Sequence, residues 1–518
     1  MRRKPSAARE LPAAFEHAST DWPTVVKTIT PVELWICLIL GVVIFLVYLP
    51  GIAIPYYGDD LGWIDAASSP WRHFVQVNTD GWYRPLQAGI YTVVQKYFGL
   101  STTPIHVLMF LVHALLCVLV VKATADLGYG GVAPLLAGVF MALSQANAFA
   151  LLSNDTLSQV AGTFFGCLSL WALASPHLGR RALQSPAGVY LLSVAAFAVA
   201  LFFKETTSSF LPLLLCVLAL INYRRSSFRV FLTRSLAMSL PYISVFLAYF
   251  AVRVLVGANA PSFGPGGYHF RVGGNVIINV LMDMLALVVP TSSVVAFEAF
   301  ANRSIVALAL IAAGALLLIA IIGYGLWLKR RDWKPAVIFI LMVGSVFPMV
   351  MMNHISELYV YNTTPFFSML AGIGLGAVLE SARHHRHLVF ALGAGILVLF
   401  ASHLAAIRDK ALMMQENGER AVKLLERLGP YFAQVPRRGA LVLVNPPAQK
   451  PEYAVYVMNG FNVLQYGEPY IKQVHGREDI EISIIDASEL ARARKSRDAL
   501  ILGLDGDSLR VIAKPGGM

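Results

Sequence analysis

Charge is scarce in this chain. Only 14% of its 518 residues are Asp, Glu, Lys or Arg, against 57% hydrophobic residues, and the mean hydropathy is +0.63. A string of soluble domains is excluded by that balance, because water-facing surfaces need far more charge. Cysteine is also rare. Cys37, Cys117, Cys167 and Cys216 all fall inside apolar runs, which argues against a disulfide framework or thiolate metal site and reads them as small buried hydrophobes. The first apolar run is not expected to be a cleaved signal peptide: it starts deep in the chain, has no small-residue cleavage site, and continues into an aromatic, acidic segment. Hydropathy shows no two-fold repeat of the kind many transporters carry.

What is present in quantity is apolar sequence in membrane-length pieces. Crossing a hydrocarbon core takes about 20 residues. Eleven such stretches are expected, at 32–50, 104–122, 132–152, 157–174, 187–203, 207–222, 235–256, 304–328, 335–353, 362–380 and 388–406. The segment 274–290 reads instead as an interfacial or re-entrant helix. The expected fold class is therefore an α-helical polytopic membrane protein with a small C-terminal α/β domain.

Lysine and arginine placement sets the expected orientation. With residues 1–31 as a basic cytoplasmic segment, the cytoplasmic side carries 18 Lys and Arg, among them Arg2, Arg180, Arg229, Lys329 and Arg386. The opposite side carries 7, namely Arg72, Arg84, Lys96, Lys204, Arg253, Arg271 and Arg303. The net charge of +11 is thus mainly a topology signal, and nucleic acid is not an expected partner. An odd span count then puts the expected C-terminus on the outer, extracytoplasmic (periplasmic) face of an inner membrane.

Residues 32–406 form the expected transmembrane domain and 407–518 the small periplasmic α/β domain. In the latter, 408–428 has an amphipathic helical pattern, and strand-like runs follow at 440–444, 453–458, 481–485, 499–503 and 509–513. It contains no recognisable catalytic motif, so a lid or an acceptor-docking module is the expected role.

The outward segments hold the chemistry. The long first loop, 51–103, is aromatic and contains Asp59-Asp60, Trp63 and the run Trp82-Tyr83-Arg84-Pro85-Leu86. Two adjacent carboxylates at the mouth of a membrane helix repel each other and demand solvent or a cation, which suits a general base or a metal ligand. Aromatic rings beside carboxylates suit sugar rings, and a guanidinium suits a phosphate. Three more polar clusters share this side: Asn154-Asp155, Lys204-Glu205, and His354, Glu357, Tyr359 and Tyr361. Four polar clusters on one face, with none comparable opposite, indicate an active site.

In this order and sidedness the chain resembles the polytopic glycosyltransferases of the GT-C fold. The similarity is to bacterial relatives of the TMTC-type O-mannosyltransferases and of the protein O-mannosyltransferase and aminoarabinose transferase group. It spans roughly residues 30–405 and rests on the carboxylate pair, Tyr83-Arg84-Pro85-Leu86, Asp155, Lys204-Glu205 and Glu357-Leu358-Tyr359-Val360-Tyr361. The chain departs from the TMTC pattern in two places. No tetratricopeptide repeats follow the membrane part, and Ser153-Asn154-Asp155 stands where those proteins tend to have Gly-Arg-Ala-Asp.

The resemblance implies a polyprenyl-phosphate-linked sugar donor, an inverting transfer, and an extracytoplasmic acceptor that is protein, lipid or polysaccharide. On that basis Asp59 is the expected base, and Asp60 an acceptor-positioning or metal-binding partner. Arg84, Lys204 and Tyr83 are expected at the donor phosphate and lipid. Asp155, Glu205, His354, Glu357, Tyr359, Tyr361, Trp63 and Trp82 are expected around sugar and acceptor. A divalent cation, Mg or Mn, is required by some GT-C enzymes and not by others, so metal dependence stays open. So do two other classes: a secondary transporter or lipid flippase, and an inactive scaffold presenting the C-terminal domain. One-sided charge weighs against the first, and intact carboxylates with Arg84 and Lys204 against the second.

Overall fold

The computed structural model describes residues 31–64, 69–78, 81–174, 186–223, 227–259, 269–353, 356–496, 498–506 and 508–515. Long Leu, Val, Ile and Ala runs become helices because lipid offers no partner for an unpaired backbone group. Proline opens many of them. It occupies the first turn of the helices Pro85–Phe98, Thr103–Asp126, Ala133–Leu143, Lys334–Ser345 and Thr364–Ala382, where its missing N–H costs nothing.

Seven helices among the described residues are long and apolar enough to cross a membrane, and eight if the bent pair Ala133–Leu143 and Gln145–Leu152 is one span. The remaining three of the eleven expected spans correspond to shorter apolar helices, at Leu38–Gly51, Ala187–Phe203 and Lys334–Ser345. The helix Gly274–Val288 has 15 residues, short of a full crossing. Asn279 on that helix donates to the carbonyls of Val350 and Met352, tying it to the break after Lys334–Ser345.

Thr364–Ala382 is the central helix, and its Gly372-Ile373-Gly374-Leu375-Gly376 run explains why. A Cβ added at Gly325 would meet the Gly374 carbonyl at 1.9 Å, and one at Gly372 would meet the Ala133 carbonyl at 2.6 Å. Small residues let three helix backbones touch, which is how membrane helices associate without a hydrophobic driving force. Two buried cysteines, Cys117 and Cys167, agree with the expectation from sequence; Cys216 is exposed, on the outer side of its helix.

The basic segments expected to be cytoplasmic meet at one end. Lys334 donates to the carbonyl of Leu127 at 2.8 Å, Tyr129 donates to Asp332 at 2.6 Å, and Lys329 pairs with Glu380 at 3.2 Å.

The boundary expected near residue 406 is not a break. A single helix, Arg386–Phe432, runs for 47 residues from the apolar bundle into the C-terminal domain, because the apolar 388–406 and amphipathic 408–428 patterns join in phase with no breaker between them. The sheet beyond it has the order β2-β1-β3-β4, with β1 (Ala440–Asn445), β2 (Glu481–Asp486), β3 (Ala499–Asp505) and β4 (Ser508–Ala513). β1 is parallel to β2 and β3, and β3 pairs antiparallel with β4. The segment 453–458, expected as a strand, makes only the bridge between Tyr453 and Val457. Ala454 takes a φ of 44°, and the amides of Tyr456 and Val457 both turn back to the Tyr453 carbonyl.

Candidate functional site

The acidic pair sits on a short 3-10 turn, Gly58–Trp63, after the first helix. Gly58 opens it with a φ of 56°, a left-handed conformation that glycine adopts freely. The two aspartates then diverge. Asp59 is exposed and Asp60 is 2% exposed.

Asp60 is held by four donors. Its oxygens accept from the Asn154 amide at 2.9 Å, the Asp155 backbone N–H at 3.0 Å, the Ser153 hydroxyl at 3.2 Å and the Tyr57 backbone N–H at 3.5 Å. Burial pushes the Asp60 carboxyl well above the usual carboxylate range and Asp155 adds to this, while the bonds from Asn154 and Tyr57 pull the other way. The donor segment Ser153–Thr156 joins the short helix Ala148–Leu152 to the helix Leu157–Ala174. Thr156 fixes that connection by donating to the carbonyls of Ala150 and Ser153, and Gln87 braces it by donating to the Asp155 carbonyl and accepting from the Ser158 N–H. Asp155 is half-buried and accepts from the Ser153 hydroxyl at 2.8 Å.

Beside this acidic part lies a basic part. Arg84 makes a two-pronged contact with Glu205, Nε to Oε2 at 3.1 Å and Nη2 to Oε1 at 2.7 Å. Its guanidinium carbon lies 5.0 Å from the ring centre of Trp82 and 5.8 Å from that of Trp63. Glu205 also faces Arg253 at 3.6 Å. Arg253 reaches in from the end of the helix Phe228–Leu255 and is anchored on the Asn259 carbonyl at 2.6 Å. Lys204 is 3% exposed, and among the described residues its ammonium makes no hydrogen bond or ion pair. It lies within electrostatic reach of Arg84, Glu205, Asp155 and Asp59. Burial, and then the charge of Arg84, hold its ammonium down to about 7.

The structure thus brings Asp59, Asp60, Asp155, Arg84, Glu205, Lys204, Trp63 and Trp82 into one cluster. Three assignments read from sequence look different here. Arg84 gives its bidentate edge to Glu205 rather than to an open ligand position, because a buried guanidinium requires a carboxylate close by. Tyr83 is 1% exposed and its hydroxyl donates to the Phe74 carbonyl at 3.1 Å. Tyr361 is fully buried against the ring of His113, with hydroxyl and Nδ1 2.8 Å apart.

Glu357 belongs to a second buried network. Its Oε1 lies 2.6 Å from the Lys410 ammonium and accepts from Ser293 at 2.9 Å, and its Oε2 accepts from the Tyr456 hydroxyl at 3.0 Å. Lys410 also donates to the Gln145 carbonyl at 3.1 Å and to its side-chain oxygen. That carbonyl is available because the helix bends by 44° at this point. Tyr359 is half-buried, and its backbone N–H donates to the Ser356 carbonyl. His354 lies outside the described residues.

Sequence reasoning missed Arg253, Gln87, Lys410 and Tyr456 as parts of these networks. For Lys410 there was a signal: Ile407, Ala411 and Met414, at helical spacing around it, form a buried face.

The donor set does not suit a divalent ion at Asp60. Both of its oxygens are committed to protein donors, and among the described residues no group of three or more His, Cys, Asp or Glu comes together to hold a metal.

These features define a polytopic membrane protein with an acid-base cluster at one end of its helices and a small mixed-sheet domain seated beside it. In overall arrangement it is similar to solved structures of two proteins. ArnT from Cupriavidus metallidurans bound to undecaprenyl phosphate matches at 14% identity over 92% of this chain and 93% of that one, with a TM-score of 0.45. The same protein in the apo state matches at 14% identity with a TM-score of 0.48. The archaeal oligosaccharyltransferase AglB from Archaeoglobus fulgidus, in complex with an inhibitory peptide and a dolichol-phosphate, matches at 11% identity over 87% of this chain and 64% of that one, with a TM-score of 0.42. No family model and no curated protein sequence matches the chain.

Proposed function

We propose that this protein is a membrane glycosyltransferase of the GT-C kind, moving a sugar from a polyprenyl-phosphate-linked donor to an extracytoplasmic acceptor with inversion. The observation that carries this reading is Lys204: a buried ammonium without a paired anion among the described residues, within electrostatic reach of an exposed carboxylate. A buried cation of that kind is stabilised by an anionic ligand, and a lipid-linked phosphate at the membrane surface supplies one.

The roles divide as follows. Asp59, exposed, takes the proton of the acceptor hydroxyl as that oxygen attacks the anomeric carbon. The bond from that carbon to the phosphate oxygen breaks, and the phosphate leaves with the electron pair toward Lys204. Asp60, tied to Ser153, Asn154 and Asp155, holds the turn that presents Asp59. Arg84 and Arg253 flank Glu205 and add net positive potential beside the leaving group. Trp82, half-buried, offers a ring to the sugar, whereas Trp63, expected from sequence in the same role, is 5% exposed and instead backs the Arg84 guanidinium. The N-terminus is cytoplasmic and the site faces the periplasm under this reading.

The test is transfer from a radiolabelled polyprenyl-phosphate sugar by protein purified in detergent. Transfer that is lost in both Asp59→Asn and Lys204→Met supports the reading. Transfer that survives in both variants refutes it, as does movement of intact donor across proteoliposomes without glycosyl transfer.

A further inference from the structure

The C-terminal domain does more than sit beside the bundle. Tyr57, adjoining the acidic turn, is 1% exposed and donates its hydroxyl to the Val455 carbonyl at 2.8 Å, across 398 positions of sequence. The same carbonyl accepts from Asn417 at 3.0 Å, and Asn417 also donates to the Tyr456 carbonyl at 3.1 Å. Arg420, one turn along the long helix, donates to the Met458 carbonyl at 3.1 Å. Tyr456 in turn anchors on Glu357, which is paired with Lys410. Apolar contacts close the seam: a Cβ built on Gly58 would lie 3.1 Å from the end of Met458, and one on Gly467 would lie 3.2 Å from the Leu61 Cβ.

We infer that the segment Tyr453–Met458 is a fixed wall of the acidic site, and that Tyr57 and Asn417 are positioning residues that set the Asp59–Asp60 turn from that side. This rests on the transferase reading for its activity arm. The physical reason is that a turn of 6 residues is too short to fix its own orientation and takes it from what holds it on either side. Ser153, Asn154 and Asp155 hold Asp60 from the helix side, and Tyr57 supplies the opposing restraint. Swinging the domain away as a lid would strand the buried Tyr57 hydroxyl and the half-buried Val455 carbonyl, and would remove the buried Tyr456 donor from Glu357. A packed seam of this kind favours one arrangement over two.

Two variants test it. In Tyr57→Phe, the turnover rate of transfer is expected to fall about tenfold or more, since small misplacements of a reacting group are costly, while donor KM and thermal stability hold. A proportional loss of stability with unchanged turnover per folded molecule overturns the positioning role. If Tyr57→Phe does not accumulate, Asn417→Ala, which removes the other donor to the same carbonyl, takes its place with the same two outcomes. In Leu61→Cys with Gly467→Cys, the Cβ separation is close to the roughly 3.5–4.5 Å of a disulfide. Equal turnover in the oxidised and reduced forms supports a fixed wall. Turnover abolished on oxidation and restored by reductant shows a lid and overturns it. Should the protein show no transfer at all, the transferase reading fails by itself, and the wall is still tested by thiol chemistry. Asp59→Cys is expected to react with a charged maleimide at a rate changed several-fold by adding Tyr57→Phe, and an unchanged rate overturns the inference.

Discussion

Lys204 gives the sharpest prediction, because its burial and its task pull in opposite directions. The ammonium is held down to about 7 by burial, with Arg84 adding to the effect and Glu205, Asp155 and Asp59 opposing it. A sugar-linked lipid phosphate is a phosphodiester and keeps one negative charge from pH 6 to 9. It pairs with the ammonium and not with the neutral amine. Below pH 7 the unliganded protein already carries the ammonium, so donor affinity is flat. Above pH 7 binding must take up a proton, and the apparent affinity falls with the ammonium fraction, about tenfold per pH unit and roughly 10²-fold between pH 6 and 9. Stability without donor runs the other way. An unfolded lysine titrates near 10.4, so between pH 7 and about 10 the unfolded state binds more protons and stability rises with pH. Calorimetric titration of a short-chain polyprenyl-phosphate sugar across this range reads the affinity, and the dependence of heat on buffer ionisation reads the proton. Lys204→Met should weaken binding at pH 6 and flatten both slopes. A wild-type affinity that does not change from pH 6 to 9, or a slope that persists in Lys204→Met, refutes the assignment.

Three further outcomes follow from the geometry. Asp59→Asn should keep its melting temperature and lose about 10²–10⁴-fold in transfer, as removal of a general base does. Asp60→Asn should instead be destabilised, since its new NH2 would replace one acceptor oxygen and face either the Asn154 amide and Tyr57 N–H or the Asp155 N–H; thermal melting separates the two. Lys410→Met leaves the fully buried Glu357 carboxylate without its cation and should cost about 3–5 kcal/mol, whereas Lys410→Met with Glu357→Gln should recover most of it, as a denaturation series would show. For sidedness, a cysteine at the exposed Asp59 should react with an impermeant maleimide added to intact cells, and one at the exposed Arg331 only after permeabilisation; equal labelling of both contradicts the orientation.

The membrane class and the positions of most helices were legible in the sequence, because hydropathy is a local property and lipid forces an apolar run of that length into a helix. So were several residues that the fold brings together in the candidate site. Asp59-Asp60, Asn154-Asp155 and Lys204-Glu205 each sit at a helix end where a polar group needs a reason to be. The strands β1 to β4 could be read from their short apolar runs, while 453–458 could not, since its backbone turns on Ala454 rather than extending.

What only the tertiary structure decided is which group meets which. Two adjacent aspartates look alike in sequence, yet one is exposed and the other buried, because Ser153, Asn154 and Asp155 come together over a single side of the turn. Glu205 could have paired with its neighbour Lys204. It instead takes Arg84, 121 positions away, and leaves Lys204 without a paired carboxylate among the described residues. Glu357 finds Lys410 and Tyr456 by the same means, since a charge out of water is tolerable only where packing delivers its partners.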